Sequence, residues 1–192
     1  ALRREPISAA ELARMACHIE IDRLGQPVGK QDQYIAAVGG LTVFDFHPDE
    51  EVGVTRLDVS SNTVHELEEH LLLFFTGYSR LAGSILGDQK SRSEDGDADM
   101  FDNLDHTKAL GRSIQDALIA GDTGKYAKLM HEHWIAKRDR SKGMSNDRID
   151  EWYDLGLANG ALGGKLVGAG AGGFLMLFAE DARSVRRAMT DA

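Results

Sequence analysis

The chain has 192 residues, 42% of them hydrophobic, with a formal net charge of -9. That length and composition suit one domain or two small ones with a real core, and the acidic balance argues against a nucleic-acid or membrane-surface binder. The single cysteine, Cys17, has no partner for an internal disulfide, so a reducing cytoplasm is the natural setting. No apolar run is long enough to span a bilayer, and none has the form of a signal peptide.

In chain order, Ser8-Ala-Ala-Glu11 has the form of a capping box and predicts a helix start. Leu12, Met15, Ala16, Ile19 and Leu24 follow at helical spacing as its apolar face, ending before Gly25, with Cys17 as a small buried residue. Gly25, Pro27 and Gly29 mark a loop, and Lys30–Ala37 predicts a second helix with no breaker before Gly39. Asp32 then falls in the first helical turn, where the helix dipole favours an anion. The neighbouring Lys30 ammonium and the amides of Gln31 and Gln33 favour an ionised carboxylate, able to accept a proton from a hydroxyl. The plainer role for Asp32 is to stabilise the helix start.

Residues 41–46 and 52–57 read as paired strands around a Pro48-Asp-Glu-Glu turn, with a boundary near Ser60–Asn62. Leu71–Phe75 is continuously apolar and predicts a strand buried on both faces. Leu81, Ile85 and Leu86 mark a helix, and Ser91–Asp99 reads as an acidic solvated loop; its spacing does not fit a calcium-binding hand. Helices are expected over 104–120, 123–138 and 147–158, the last burying Ile149, Trp152, Tyr153 and Gly156. His131 and His133 point about 200° apart on a helix, so they do not converge on a metal; Trp134 belongs to the core. Residues 161–167 and 174–178 predict strands around the glycine loop 168–173, and 182–189 a closing helix. Gly168-x-Gly170-x-x-Gly173 matches a dinucleotide fingerprint in form, but a strand follows it where that fingerprint needs a helix.

Four strings, taken in order, resemble the GHMP small-molecule kinase superfamily: Gly29-Lys-Gln-Asp-Gln33, Phe75-Thr-Gly-Tyr-Ser-Arg80, Met144-Ser-Asn-Asp-Arg-Ile-Asp150 and Gly163–Phe174. Within that superfamily the first string is most similar to the bacterial heptose phosphate kinases. The resemblance implies an α+β fold, with residues 1–60 completing an N-terminal catalytic domain and 61–192 forming a ferredoxin-like C-terminal domain with several helices. It implies transfer of the ATP γ-phosphate to the anomeric hydroxyl of D-glycero-D-manno-heptose 7-phosphate, for nucleotide-heptose synthesis. Asp32 takes the role of catalytic base. Lys30, Gln31, Gln33, Tyr78, Arg80 and Lys165 are the candidates for the substrate, the sugar phosphate falling to Arg80, Lys165 or Lys30. Gly168, Gly170, Gly172 and Gly173 come near the phosphates, and Ala171 replaces one glycine of the family's usual run. Mg2+ is implied, with its ligands expected upstream of this segment and none within it.

The family's phosphate loop and an early strand are not found ahead of Ser8, nor its last strand after Thr190. The sequence is therefore expected to be a fragment, inactive alone. The expected partners are a sugar phosphate and ATP, without nucleic acid or membrane, and a homodimer is compatible with the sequence. The rivals are a GHMP kinase for galactose, fucose or a uronic acid, and a non-catalytic sugar-phosphate-binding fragment; a dinucleotide oxidoreductase is a distant third.

Overall fold

The computed structural model describes residues 6–78 and 83–192. They divide into two compact units, one ending at Asp58 and the other beginning at Val59.

In the first unit, Ser8 caps α1 (Ala9–Cys17), its hydroxyl accepting from the Glu11 amide at 3.1 Å as the capping box predicts. The helix then widens into a π-helical turn, His18–Arg23, before ending ahead of Gly25. α2 (Gln31–Val38) follows, closed by Gly39 at φ 69°. β1 (Thr42–Phe46) and β2 (Val52–Arg56) form an antiparallel hairpin. The core is small: Ala13, Cys17 and Tyr34, with Ile21, Ala37, Phe44 and Val52 around them. The expected apolar face of α1 is not the buried one, since Leu12, Met15, Ile19 and Leu24 are all exposed. The short side chains of Ala13 and Cys17 let α2 approach closely, and the π-turn re-phases the chain so that Ile21 continues their stripe.

In the second unit, α3 (Ser61–His70) leads into β3 (Leu71–Phe75), and α4 (Gly83–Glu94), α5 (Ala98–Ala120), α6 (Thr123–Arg140) and α7 (Asp147–Ala158) follow. β4 (Ala161–Leu166) and β5 (Phe174–Ala179) complete an antiparallel sheet in the order β3-β5-β4, and α8 (Ala182–Thr190) closes the unit. β3 and β4 run parallel with β5 between them, the split β-α-β arrangement of the ferredoxin-like plan. α7 and α8 pack on one face, burying Ile149, Tyr153, Leu166, Leu175, Leu177 and Val185. α6 lies along β4 and buries Trp134 completely.

Three expectations change here. β3 is an edge strand with one face uncovered, Leu73 and Phe75 being 61% and 63% exposed, because the helices that pack on it lie on the other side. The acidic stretch is helix end, turn and cap rather than a solvated loop: Ser91–Glu94 finish α4, and Asp97 caps α5 by accepting from the Met100 amide at 3.0 Å. α5 therefore starts at Ala98, six residues before the expected 104. Leu81, expected in the helix after β3, lies outside the described residues. No described helix is long and apolar enough to cross a membrane.

Candidate functional site

In the first unit the candidate site forms around the start of α2. Tyr34 is buried and packs edge-on against Phe44, with ring centroids 5.9 Å apart, which fixes α2 on the hairpin. Asp32 and Gln31 are thereby held exposed in the first turn. Asp32 opens onto a concavity of about 410 Å³, with Leu12, Ala16 and Val28 on its apolar wall and Glu20, Asp32 and Gln33 as its polar groups. Gln33 Nε2 donates to Glu20 Oε2 at 2.5 Å, while Gln33 Oε1 is buried with no partner among the described residues. Two carboxylates and an amide with a spare acceptor over an apolar wall suit a hydroxyl-rich ligand.

Lys30 does not pair with Asp32. Its ammonium binds the Glu50 carboxylate and the Glu50 carbonyl, and the Glu50 bond raises its pKa above that of an ordinary lysine. Glu50 reaches it from the β1–β2 turn, where it adopts φ 70°.

In the second unit the glycine loop is pressed against its own neighbours. A Cβ on Gly172 would stand 2.5 Å from the Tyr78 carbonyl oxygen, and one on Gly170 would stand 2.2 Å from Met144 Sδ. The Gly173 amide donates to the Tyr78 carbonyl at 3.0 Å, and the Ala171 amide to the Met144 carbonyl at 2.8 Å. Gly168, at φ 82°, has open space around it. Tyr78 is 39% exposed at the end of β3, beside this loop; Arg80 lies outside the described residues.

Lys165 on β4 is half-buried, and beside it stands a set of groups that the sequence reading missed. His133, Lys137 and Arg140 sit at i, i+4 and i+7 on α6, a spacing that puts them on one helix face and was visible in the sequence. The Lys137 ammonium donates to the Leu166 carbonyl at 3.1 Å and to the Gly168 carbonyl, tying α6 to the foot of the loop. Burial, with Lys165 and Arg140 nearby, lowers its pKa to about 8. Burial and the same three cations lower His133 to about 4. His131 instead stacks on Tyr153 and hydrogen-bonds its hydroxyl at 2.7 Å, so the two histidines do not converge. Among the described residues no three His, Cys, Asp or Glu side chains gather to hold a metal.

Residues 114–192 match the family described as GHMP kinases C terminal, and the chain as a whole has the GHMP kinase fold. The curated relatives it matches at 26–33% identity are sugar kinases. It is 33% identical over 175 residues to the D-glycero-alpha-D-manno-heptose 7-phosphate kinase of Campylobacter jejuni, which covers 91% of this chain and 51% of that protein. A bifunctional fucokinase/GDP-fucose pyrophosphorylase of Arabidopsis thaliana is 28% identical over 181 residues, 93% of this chain and 17% of that one. Among solved structures, a D-glycero-D-manno-heptose 1-phosphate kinase from Bacteriodes thetaiotaomicron superposes with a TM-score of 0.68 at 28% identity, over 98% of this chain and 51% of that one. The galactokinase of Lactococcus lactis, at 15% identity and a TM-score of 0.70 over 97% of this chain and 56% of its own, shares the fold. The chain thus spans about half the length of the heptose kinases it matches.

Proposed function

We propose that the protein to which this chain belongs is an ATP-dependent sugar kinase acting on the anomeric hydroxyl of D-glycero-D-manno-heptose 7-phosphate, for nucleotide-heptose synthesis. The observation that carries this reading is Asp32, exposed in the first turn of α2 at a concavity it shares with Gln33 and Glu20. The likeness to the Campylobacter enzyme supports the substrate. In this reading Asp32 orients the sugar hydroxyl and accepts its proton, a contribution of about 10²- to 10⁴-fold. The spare acceptor of Gln33 takes a hydrogen bond from a second hydroxyl and so fixes the ring's orientation. Lys30, held by Glu50, braces the loop ahead of α2.

Mg2+ is bound through one or two carboxylates plus substrate phosphates rather than by an all-protein cage. Glu20, the second carboxylate on the concavity, fits that need and is the described residue that would hold it, leaving Asp32 free to accept the proton. When bound, it would neutralise charge on the transferring phosphoryl group.

The test uses the full-length protein with ATP, Mg2+ and a panel of free and 7-phosphorylated sugars, followed by phosphorus NMR. An anomeric phosphate formed from heptose 7-phosphate, and lost in Asp32→Asn, is the expected result. Turnover of a free hexose alone would favour the second reading, a kinase for another sugar, which the likeness to the plant fucokinase supports. No turnover by a well-folded full-length protein would overturn both.

A further inference from the structure

We propose that Lys165 is the ligand-facing cation of a phosphate-binding site built where α6 meets the foot of the glycine loop, with Lys137, Arg140 and His133 behind it. Three cations gather here, and no carboxylate among the described residues offsets any of them. Buried charge of one sign is costly unless something compensates it.

Two of the three have oxygen partners. Lys137 spends its hydrogen bonds on the Leu166 and Gly168 carbonyls. Arg140 donates to Asn103 Oδ1 at 2.8 Å and Thr107 Oγ1 at 2.7 Å. Lys165 has neither a hydrogen-bond acceptor nor an ion-pair partner among the described residues. A second group is also unsatisfied: His133 Nδ1 is shut off from solvent with no partner. Lys165 nonetheless lies where a ligand can reach it. Lys165 lies on the face of β4 that α6 packs against, two residues beyond Gly163, and is only partly covered there.

A compact, partly desolvated ammonium with a second ammonium and a guanidinium behind it suits a phosphate, which takes charge from several sides. Lys137 adds a mechanical element, because the same side chain that supplies field also fixes the Gly168 carbonyl, so loop position and phosphate site are coupled. On the kinase reading, on which only the bearer of the phosphate depends, the group is the phosphate of the sugar. Lys30, another basic residue near a candidate site, is instead occupied by Glu50.

The probe is inorganic phosphate, titrated into the full-length protein at constant ionic strength with chloride as the control. Phosphate binds the wild type; Lys165→Met weakens it at least about tenfold, and Lys165→Arg retains it. In the wild type, the ring carbons of His133 report a titration that moves upward when phosphate is present, because the anion offsets the three cations. A merely structural lysine would not move that signal, and it decides the matter even if Lys165→Met fails to fold. Equal phosphate binding by wild type and Lys165→Met, or a His133 titration indifferent to phosphate, would overturn the site. Competition assigns the bearer: displacement by a sugar monophosphate is expected, displacement by ADP would give the site to the nucleotide, and displacement by neither would overturn it. Lys165-dependent phosphate binding without kinase turnover would leave the site standing and remove the kinase reading. Turnover of heptose 7-phosphate with a KM unchanged in Lys165→Met would do the reverse.

Discussion

Adding one methyl group at Gly163 is expected to push α6 off the sheet. A Cβ there would lie 1.9 Å from the Ala127 carbonyl oxygen, 2.8 Å from its carbon and 3.2 Å from His131 Cβ. The first distance is roughly 1.4 Å short of the shortest ordinary C···O contact, about 3.3 Å. The obstacle is backbone in the middle of α6, so no side chain can swing away, and the helix itself must shift. Overpacking of well-packed cores costs about 1–3 kcal/mol and occasionally more; a clash with backbone belongs at the upper end, about 3 kcal/mol. For a chain of this size that is a fall in Tm of about 6–12 °C. Gly111→Ala is the control, the same chemical change in the interior of α5 with nothing within 4 Å of the new methyl. It should gain about 0.5–1 kcal/mol from helix propensity. Both tryptophans, Trp134 and Trp152, lie in the second unit, so fluorescence in a denaturant titration reports on the unit that carries both substitutions. If Gly163→Ala stays within about 1 kcal/mol of wild type, α6 does not lie against β4 as described.

Asn146→Ala removes the cap that accepts from the Ile149 amide at 3.0 Å, and should cost about 1 kcal/mol in the same titration. His133 gives a pH dependence: its folded pKa of about 4 lies below the unfolded value near 6.5, so the unfolded state binds more protons between those limits. Its contribution is complete above about pH 6.5 and is lost as the pH falls towards 4, up to about 3 kcal/mol; His133→Gln should flatten the stability profile over that range. In the full-length protein Asp32→Asn should lower kcat by about 10²- to 10⁴-fold with little change in the sugar's KM; a change confined to KM would make Asp32 a binding group rather than a base.

What could be read from the sequence was what local chemistry decides. Asp147–Ala158 is a helix in the structure with those same ends, because Asn146 caps it and Gly160, at φ 103°, turns the chain beyond it. The Ser8 cap was equally visible. What stayed hidden depended on partners distant in sequence. Asp97 looks like one more acid in a polar run, yet Arg92 donates to it at 2.6 Å and to the Arg140 carbonyl at 2.6 Å, making the stretch a structured corner. Glu20 reaches the Asp32 concavity from a π-turn that no spacing rule announces. The stripe His133, Lys137, Arg140 was legible in position but not in meaning, because its burial follows from the packing of α6 on β4.

The glycine loop shows how a motif can be right while its first explanation is incomplete. Gly170 and Gly172 have no room for a side chain because Met144 and Tyr78 fill it, so neither needs a phosphate to explain it. Ala171 is the informative position. It holds φ 63°, a conformation that costs a non-glycine residue roughly 1–2 kcal/mol. The residue is only 4% exposed, in the core with Met144, and burying a methyl group returns about 0.8 kcal/mol. Glycine at this site would relieve the strain but lose the methyl and about 0.5–1 kcal/mol in unfolded-chain entropy, so Ala171→Gly should be nearly neutral in stability. The alanine therefore leaves the backbone path unchanged, and the part of the loop free to meet a ligand is its foot at Gly168, open on one side and held by Lys137 on the other.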